Sequence, residues 1–592
     1  MPSHCISYIK NRLLILCLFS FPLFCIFPAT PSWQLVAGGD SVATPVITDY
    51  GFATLLDGRT MAAISSKGSL LWLSSVPGGK PLPFIGKGEG GFLITVGGKN
   101  KVSLFNPSGL CLWTREASSQ VISAPIQGDD GRIFVQCNDK MDCFGTNGTL
   151  KWTIETSAAA NIPLLQLEDG SILHIQSKTI GGCSTALRVS PFGKILEEIT
   201  FTGKIANAKQ TDFGVLIIFT DGSIGCCSST EDGAVSKWVV TSDVLNISSS
   251  SSLVVEKGNS LAVVLSPSGS GTSVIFLNMD NGEIVSRQNS PIDSTNLTFS
   301  ALDADSVMLC DTKKAAGCSV HESSLWQFEI PSSKKWSYVL CLKNGYLVVL
   351  EKNSWVISAY RVTQKVGEQR KLKNSIAKKN IYKPFIDMAA KKAGLNNQTS
   401  TLFGKVVSDD MILQMEQHLL AGNYADHEDT WVAALSLECM QITNRFMNQS
   451  STQTLNFSQV DEDMVHYQKV LHLIGYLGSS IYNRTLASII QKETDISLLI
   501  AALQTSSQVA YDPDNIILDS LEHLTRRQNI VSNQRVAQEL CNAIYEICRF
   551  MGKPALFTKG RQLLSYLLNN STDSKTKIYA SLAMEKIIAL QM

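Results

Sequence analysis

Gly68-Ser-Leu-Leu-Trp72, Gly109-Leu-Cys-Leu-Trp113 and Gly148-Thr-Leu-Lys-Trp152 are three copies of one phrase in a 592-residue chain. The tryptophans recur about every 40 residues, and weaker echoes follow. Gly193-Lys-Ile-Leu-Glu197 keeps the glycine and loses the tryptophan, and Gly233-Ala-Val-Ser-Lys-Trp238 carries one extra residue. Gly282-Glu-Ile-Val-Ser286 lacks the aromatic, and Ser324-Leu-Trp326 keeps only the end. Between the phrases, short apolar strands alternate with turn residues. Asp57-Gly58, Asp130-Gly131, Asp169-Gly170, Asp221-Gly222 and Asn344-Gly345 supply pairs that tolerate the positive φ of tight hairpins. A period near 40 residues with three or four strands per unit is the pattern of a β-propeller blade.

The phrase has a physical reading. Glycine turns the chain into an outer strand. The aliphatic residue two positions on and the tryptophan two further are expected to face the neighbouring blade, because strand side chains alternate. A buried indole then contributes a large apolar area between sheets. Counting phrase ends and the last strands, 338–342, 346–350 and 355–359, gives eight blades, with seven as the alternative because units six and seven are eroded. Residues 33–37 are placed to supply the strand that closes the ring.

A strand, a Gly-x-Leu-x-Trp outer strand and an Asp-Gly turn in tandem resemble the quinoprotein-type (PQQ-like) propeller repeat. The resemblance covers residues 33 to 362 and is strongest between 50 and 240. Its superfamily includes quinoprotein alcohol dehydrogenases and the propeller lipoprotein of bacterial outer-membrane assembly. The enzymatic members hold a quinone and calcium with an Asp base and a disulfide between adjacent cysteines. Cys226-Cys227 is an adjacent pair, but it lies in the fifth unit rather than early in the ring, and no Glu, Asn and Asp set around it maps onto a calcium site. In an alternating strand one of the two is expected buried and the other outward. No catalytic, metal or cofactor site is assigned.

After residue 362 the pattern changes. Residues 363–405 form a basic linker and first helix, Lys365 to Lys392, and the remainder, 406–592, is helical. Leu540, Ile544, Ile547 and Met551 draw one apolar stripe, and Ala580, Ala583, Ile587 and Leu590 draw another. Polar starts are read at Ser408–Asp410, Asp461–Asp463, Asp512–Asp514 and Ser571–Asp573, and ends at Gly422, Gly478 and Gly552. Helices joined by short connections suggest an α-solenoid, and residues 495–588 are similar to HEAT or armadillo repeats; a compact bundle is the rival.

At the other end, residues 1–32 read as a signal peptide or N-terminal membrane anchor. Lys10 and Arg12 precede an uncharged apolar run from Leu13 to Ala29. Export to the periplasm, free or anchored at the inner membrane facing it, is the expected location. Fifteen cysteines are thinly spread. Cys137/Cys143 and Cys310/Cys318 flank short turns and are candidates for hairpin disulfides. A net charge of zero excludes a basic nucleic-acid binder. Asp426-His427-Glu428-Asp429 has ligand chemistry, but acidic residues before a helix near Thr430 are explained by its dipole. The leading expectation is a non-enzymatic scaffold of the cell envelope that binds other proteins, with outer-membrane assembly components as the hypothetical partners. A quinoprotein-type dehydrogenase and a periplasmic ligand sensor are the alternatives.

Overall fold

The computed structural model describes residues 30–591 apart from short stretches, the longest being 242–251, 255–260, 330–335, 363–382, 393–406, 422–427 and 449–456. The signal region and most of the basic linker lie outside the described residues. Eight four-stranded antiparallel sheets form the ring: blade 1 spans residues 46–75, blade 2 86–116, blade 3 126–155, blade 4 165–200, blade 5 205–240, blade 6 252–289 and blade 7 298–329. Blade 8 takes three strands from 336–361 and its outermost strand from Trp33–Val36, paired antiparallel from Trp33 opposite Ala359 to Val36 opposite Val356. The two ends of the ring therefore share one sheet, as the sequence suggested. The inner strands of successive blades touch around the axis. There, Gln127 accepts from the backbone N–H of Glu89 in blade 2 at 3.0 Å, and Gln210 accepts from that of Gln166 in blade 4 at 3.1 Å.

At five places an indole locks one blade to the next. The rings of Trp33, Trp72, Trp113, Trp152 and Trp238 lie over Gly68, Gly109, Gly148, Gly193 and Gly282, where a Cβ would sit 2.4–2.8 Å from the indole. These glycines also have φ between 76° and 85°. Two constraints thus demand glycine at once: a left-handed backbone and a ring where the side chain would be. The indole N–H crosses the same gap. Trp72 donates to the carbonyl of Pro107 at 2.9 Å, Trp113 to Thr146 at 2.8 Å, Trp152 to Pro191 at 3.0 Å and Trp238 to Met279 at 3.0 Å. Where blade 4 has Glu197 instead, Arg188 takes that carboxylate at 2.7 Å and Asp169 at 2.5 Å. Trp326 departs from the pattern and lies against Gly317 of its own blade. Gly233 begins the outer strand of blade 5.

One expectation needs correction. Leu70 and Leu150 do not face the neighbouring blade; they are 42% and 47% exposed. The reason is a β-bulge repeated in blades 1 to 6. Ile64 pairs with Leu70 but Ala63 with Trp72, and likewise Phe105 with Cys111 but Leu104 with Trp113. Blades 3 to 6 slip at the same place. The extra residue immediately before the tryptophan position breaks the alternation.

The helical half contains α1 (Lys383–Lys392), α2 (Asp409–Ala421), α3 (Glu428–Asn448), α4 (Phe457–Leu477), α5 (Asn483–Lys492), α6 (Ile496–Val509), α7 (Ile516–Thr525), one turn at Gln528–Val531, α8 (Gln534–Met551), α9 (Pro554–Asn570) and α10 (Ser574–Ala589). They stack in two layers. The even helices pack in sequence, α2 on α4, α4 on α6, α6 on α8 and α8 on α10; the odd helices do the same from α1 to α9. The stripe Leu540, Ile544, Ile547 and Met551 is buried as expected. Asp495 caps α6 and Asp573 caps α10 through the N–H groups of Leu498 and Thr576. Gly478 and Gly552, at φ 62° and 60°, end α4 and α8. Asp461–Asp463 lie within α4 rather than before it, because the helix already begins at Phe457. Buried His466 reaches Glu438 at 3.2 Å and Asp409 at 3.3 Å, tying α4 to α3 and to the start of α2.

Replacing Trp113 by alanine is expected to destabilise the chain by about 3–5 kcal/mol, since it removes both the apolar filling and the bond to Thr146. Gly148→Ala, on the other side of the same contact, should destabilise as well, and the double variant should lose less than the sum. Urea unfolding of the three variants checks this; strict additivity would contradict the lock.

Candidate interaction surfaces

In an antiparallel four-stranded blade, the turns between strands one and two and between three and four emerge on one side of the ring. The turn between two and three, and the blade-to-blade connection, emerge on the other. The helices sit on the first side, over blades 2 to 4, and share one continuous core with them. Three successive turns build this seam. Asn106 spends its carbonyl oxygen locally, accepting from the N–H groups of Ser108 and Leu110, both at 3.0 Å. Its amide then donates to the carbonyl of Arg549 at 2.8 Å, in the last turn of α8. In blade 3, Thr146 donates to the carbonyl of Gly478 at 2.6 Å, and the Lys151 ammonium donates to that of Leu477 at 2.5 Å. A cation at a helix C-terminus answers both the orphan carbonyls and the dipole. Lys151 is the bulged residue of its strand, and the bulge is what turns its side chain toward the helix.

Between these two contacts, Tyr511 follows the end of α6 and stacks edge-on against Phe92 of blade 2, with Phe550 completing the cluster; ring centroids lie 5.8–6.2 Å apart. Its ring also fills the space over Gly131. The neighbouring Asp512 is buried. Burial pushes its carboxyl up to about 6, against the pull of backbone N–H groups at the start of α7, Leu518 among them at 2.9 Å. Arg132 completes the floor: it pairs with Asp130 at 2.6 Å, lies 4.8 Å from the Phe192 ring centroid and donates to the Pro191 carbonyl.

The opposite side of the ring carries no helix among the described residues. There Val36 is 70% exposed, and Trp355, in the turn between the second and third strands of blade 8, is 51% exposed at φ 58°. The outer strand of blade 1, Leu70–Ser75, has an unpaired edge with Leu70, Leu71 and Leu73 exposed. On the inner strand of blade 5, Lys209 reaches solvent, yet the surrounding wall lowers its pKa by desolvation.

The cysteine expectations are corrected by strand register. Cys143 lies opposite Phe134, three residues from Cys137; Cys318 lies opposite Val307, three residues from Cys310. At about 3.3 Å per residue each pair is roughly 10 Å apart, beyond disulfide reach. All four remain thiols in the structure. Cys226 and Cys227 are both buried, one in the core between blades 5 and 6 and the other between blades 4 and 5. That also corrects the expectation of one outward thiol, because both faces of a propeller blade are covered. Side chains committed to opposite cores do not fit the adjacent disulfide of a quinone site. Among the described residues no three His, Cys, Asp or Glu side chains converge as metal ligands, and no helix is long and apolar enough to cross a membrane.

Residues 57–180, from blade 1 into blade 4, match the family described as Outer membrane protein assembly factor BamB. No curated protein matches the chain. Among solved structures, BamB from Moraxella catarrhalis is 12% identical, with 56% of this chain and 99% of that one covered, at a TM-score of 0.41. Saccharomyces cerevisiae Sqt1 is 10% identical, over 56% and 99%, at 0.39. The dihydro-heme d1 dehydrogenase NirN is 10% identical, over 57% and 78%, at 0.38.

Two expected outcomes follow from the seam. Lys151→Met, which keeps the apolar stem, should cost about 1.5–3 kcal/mol by leaving the Leu477 carbonyl without its charged donor. Hydrogen exchange at the end of α4 should rise accordingly, and unchanged exchange would contradict the capping role. For Asp512, the folded carboxyl titrates above the usual unfolded value of about 3.9. Its favourable contribution is therefore full below about pH 4 and lost as pH rises through 6, for a total of about 3 kcal/mol. The difference in unfolding free energy between wild type and Asp512→Asn should change across pH 4–7. A constant difference over that range would refute the assignment.

Proposed function

We propose that the chain is a non-catalytic scaffold of the bacterial cell envelope that holds other polypeptides and assists outer-membrane protein assembly. The observation that carries this reading is the seam: one side of the ring is occupied by the chain's own helices, which leaves the opposite side and the outer strand edges to partners. An exposed apolar cluster on a folded monomer marks contact sites. Trp355 sits where a bulky side chain strains the backbone, and such strain is retained mostly at working positions. The unpaired edge Leu70–Ser75 offers main-chain groups to an added strand. The match of residues 57–180 supports the assembly role. The helical stack lies outside the matched residues and supplies a second binding surface of the solenoid kind. Export by the apolar N-terminus, to the periplasm or to an inner-membrane anchor facing it, is part of the same reading.

Photo-crosslinking in cells tests it. A benzophenone side chain at Trp355 or Leu71 is expected to capture outer-membrane assembly components, and the same group at Lys492, on the helical stack, should not. Capture confined to Lys492, or none at Trp355 and Leu71, would overturn the assignment of these surfaces. Titration with pyrroloquinoline quinone and calcium addresses the enzymatic alternative: a bound absorption band at equimolar protein would replace the scaffold reading with a dehydrogenase.

A further inference from the structure

The last pair of the helical stack, α9 and α10, leaves a groove on the side away from α8. It has a volume of about 620 Å³ and is lined by Arg561, Gln562, Tyr566 and Asn569 of α9 and by Met584 and Ile588 of α10, among others. Earlier pairs bury the equivalent side against the next pair; here nothing among the described residues covers it. The composition of α10 points the same way. Thr576, Ala580, Ala583 and Ile587 are buried against the stack, Met584 and Ile588 face the groove, and Ile578 and Leu582 are more than half exposed. Apolar residues thus occupy nearly every side of this helix, the pattern of a helix with neighbours all round.

The rim says what kind of neighbour. Its polar side chains are amides, hydroxyls and one guanidinium, with no carboxylate. Among the described residues Arg561 makes no ion pair, although the same helix pairs Lys559 with Asp519 and Glu522 on its inner side. A cation left unpaired beside an apolar trough is complementary to an acidic edge. From Thr558 to Asn570 the trough runs about 18 Å at 1.5 Å per residue, the length of about three helical turns.

We propose that the α9–α10 groove is a docking site for an amphipathic helix of a partner protein, with its apolar face on Tyr566, Met584 and Ile588 and a glutamate or aspartate on Arg561. This site is separate from the propeller surfaces, and it stands whether or not those bind envelope proteins.

The test uses the full chain and a fluorescein-labelled, stapled helical peptide of about 14 residues. One version carries leucines at i, i+3, i+7 and i+10 with flanking glutamates; the other has lysines in place of the glutamates. Anisotropy titrations should show saturable binding of the glutamate peptide, about tenfold or more tighter than the lysine peptide, with the preference shrinking at high salt. Ile588→Asp should weaken binding about tenfold or more, and Arg561→Glu should invert the preference between peptides. Both positions face solvent, and matching thermal melts will show that the variants fold. Equal binding of the two peptides, indifference to both substitutions, or no saturation would overturn the proposal. So would light scattering that finds a dimer dispersed by Ile588→Asp, since the occupant would then be a second copy of the chain.

Discussion

The ring depends on an indole reaching across from one blade to the turn of the next. That contact combines an apolar face on a bare glycine with a hydrogen bond to the carbonyl two or three residues earlier, so position and orientation are both set. Neither half is replaceable by a generic hydrophobe. A leucine would fill volume but leave the turn carbonyl without its donor, and a side chain on the glycine would displace the ring. The closing link uses the apolar half of the same device: Trp33, in the strand that completes blade 8, lies on Gly68 of blade 1. Ring closure is therefore one more repeat of the blade-to-blade contact, carried by a segment more than 300 residues away in sequence from the strand it pairs with.

The turns that receive indoles also hold the helices. Thr146 accepts the Trp113 indole with its carbonyl and donates its hydroxyl to Gly478. The Pro191 carbonyl accepts from both Trp152 and Arg132, and Arg132 pairs with Asp130, whose carbonyl accepts from Ser480 at 3.2 Å. Blade packing and helix docking thus share atoms. A change that loosened the indole of blade 2 would move a residue that caps α4, so the two halves are mechanically one body at this seam rather than beads on a linker.

What the sequence displayed, and what it hid, follows from the range of each interaction. The lock was legible because it requires two residue types at fixed local spacing, Gly and Trp, and repeating that demand leaves a visible period. A helix cap such as Asp573 acts over three residues and was legible for the same reason. The bulge was not: it is a relation between strands, visible only as Ala63 facing Trp72 while Ile64 faces Leu70. The bulge in turn concealed the seam. Lys151 occupies a variable position of the phrase, where alternation assigns an outward side chain, yet it is buried at the end of a helix more than 300 residues away. Cysteine spacing misled by the same omission, since six or eight residues across a hairpin do not determine which rungs face each other.

The seam also explains the polarity of the helical array. In a two-layer stack, the helices of one layer run parallel, so their C-termini emerge on one edge. Three even helices present that edge to the propeller in order, each ending in a left-handed residue: Gly478 after α4, Ala510 after α6 and Gly552 after α8. The carbonyl-rich ends of α4 and α8, at negative dipole poles, meet ammonium, hydroxyl and amide donors from blades 3 and 2, and the end of α6 between them meets blade 2 through the Tyr511 ring on Phe92. The direction of the layer is thus the one that gives the orphan carbonyls partners. The next member of the row, α10, has no hydrogen bond to the propeller among the described residues. The row therefore continues past the turns that support it, and the outer side of its last pair faces neither blade nor helix among the described residues.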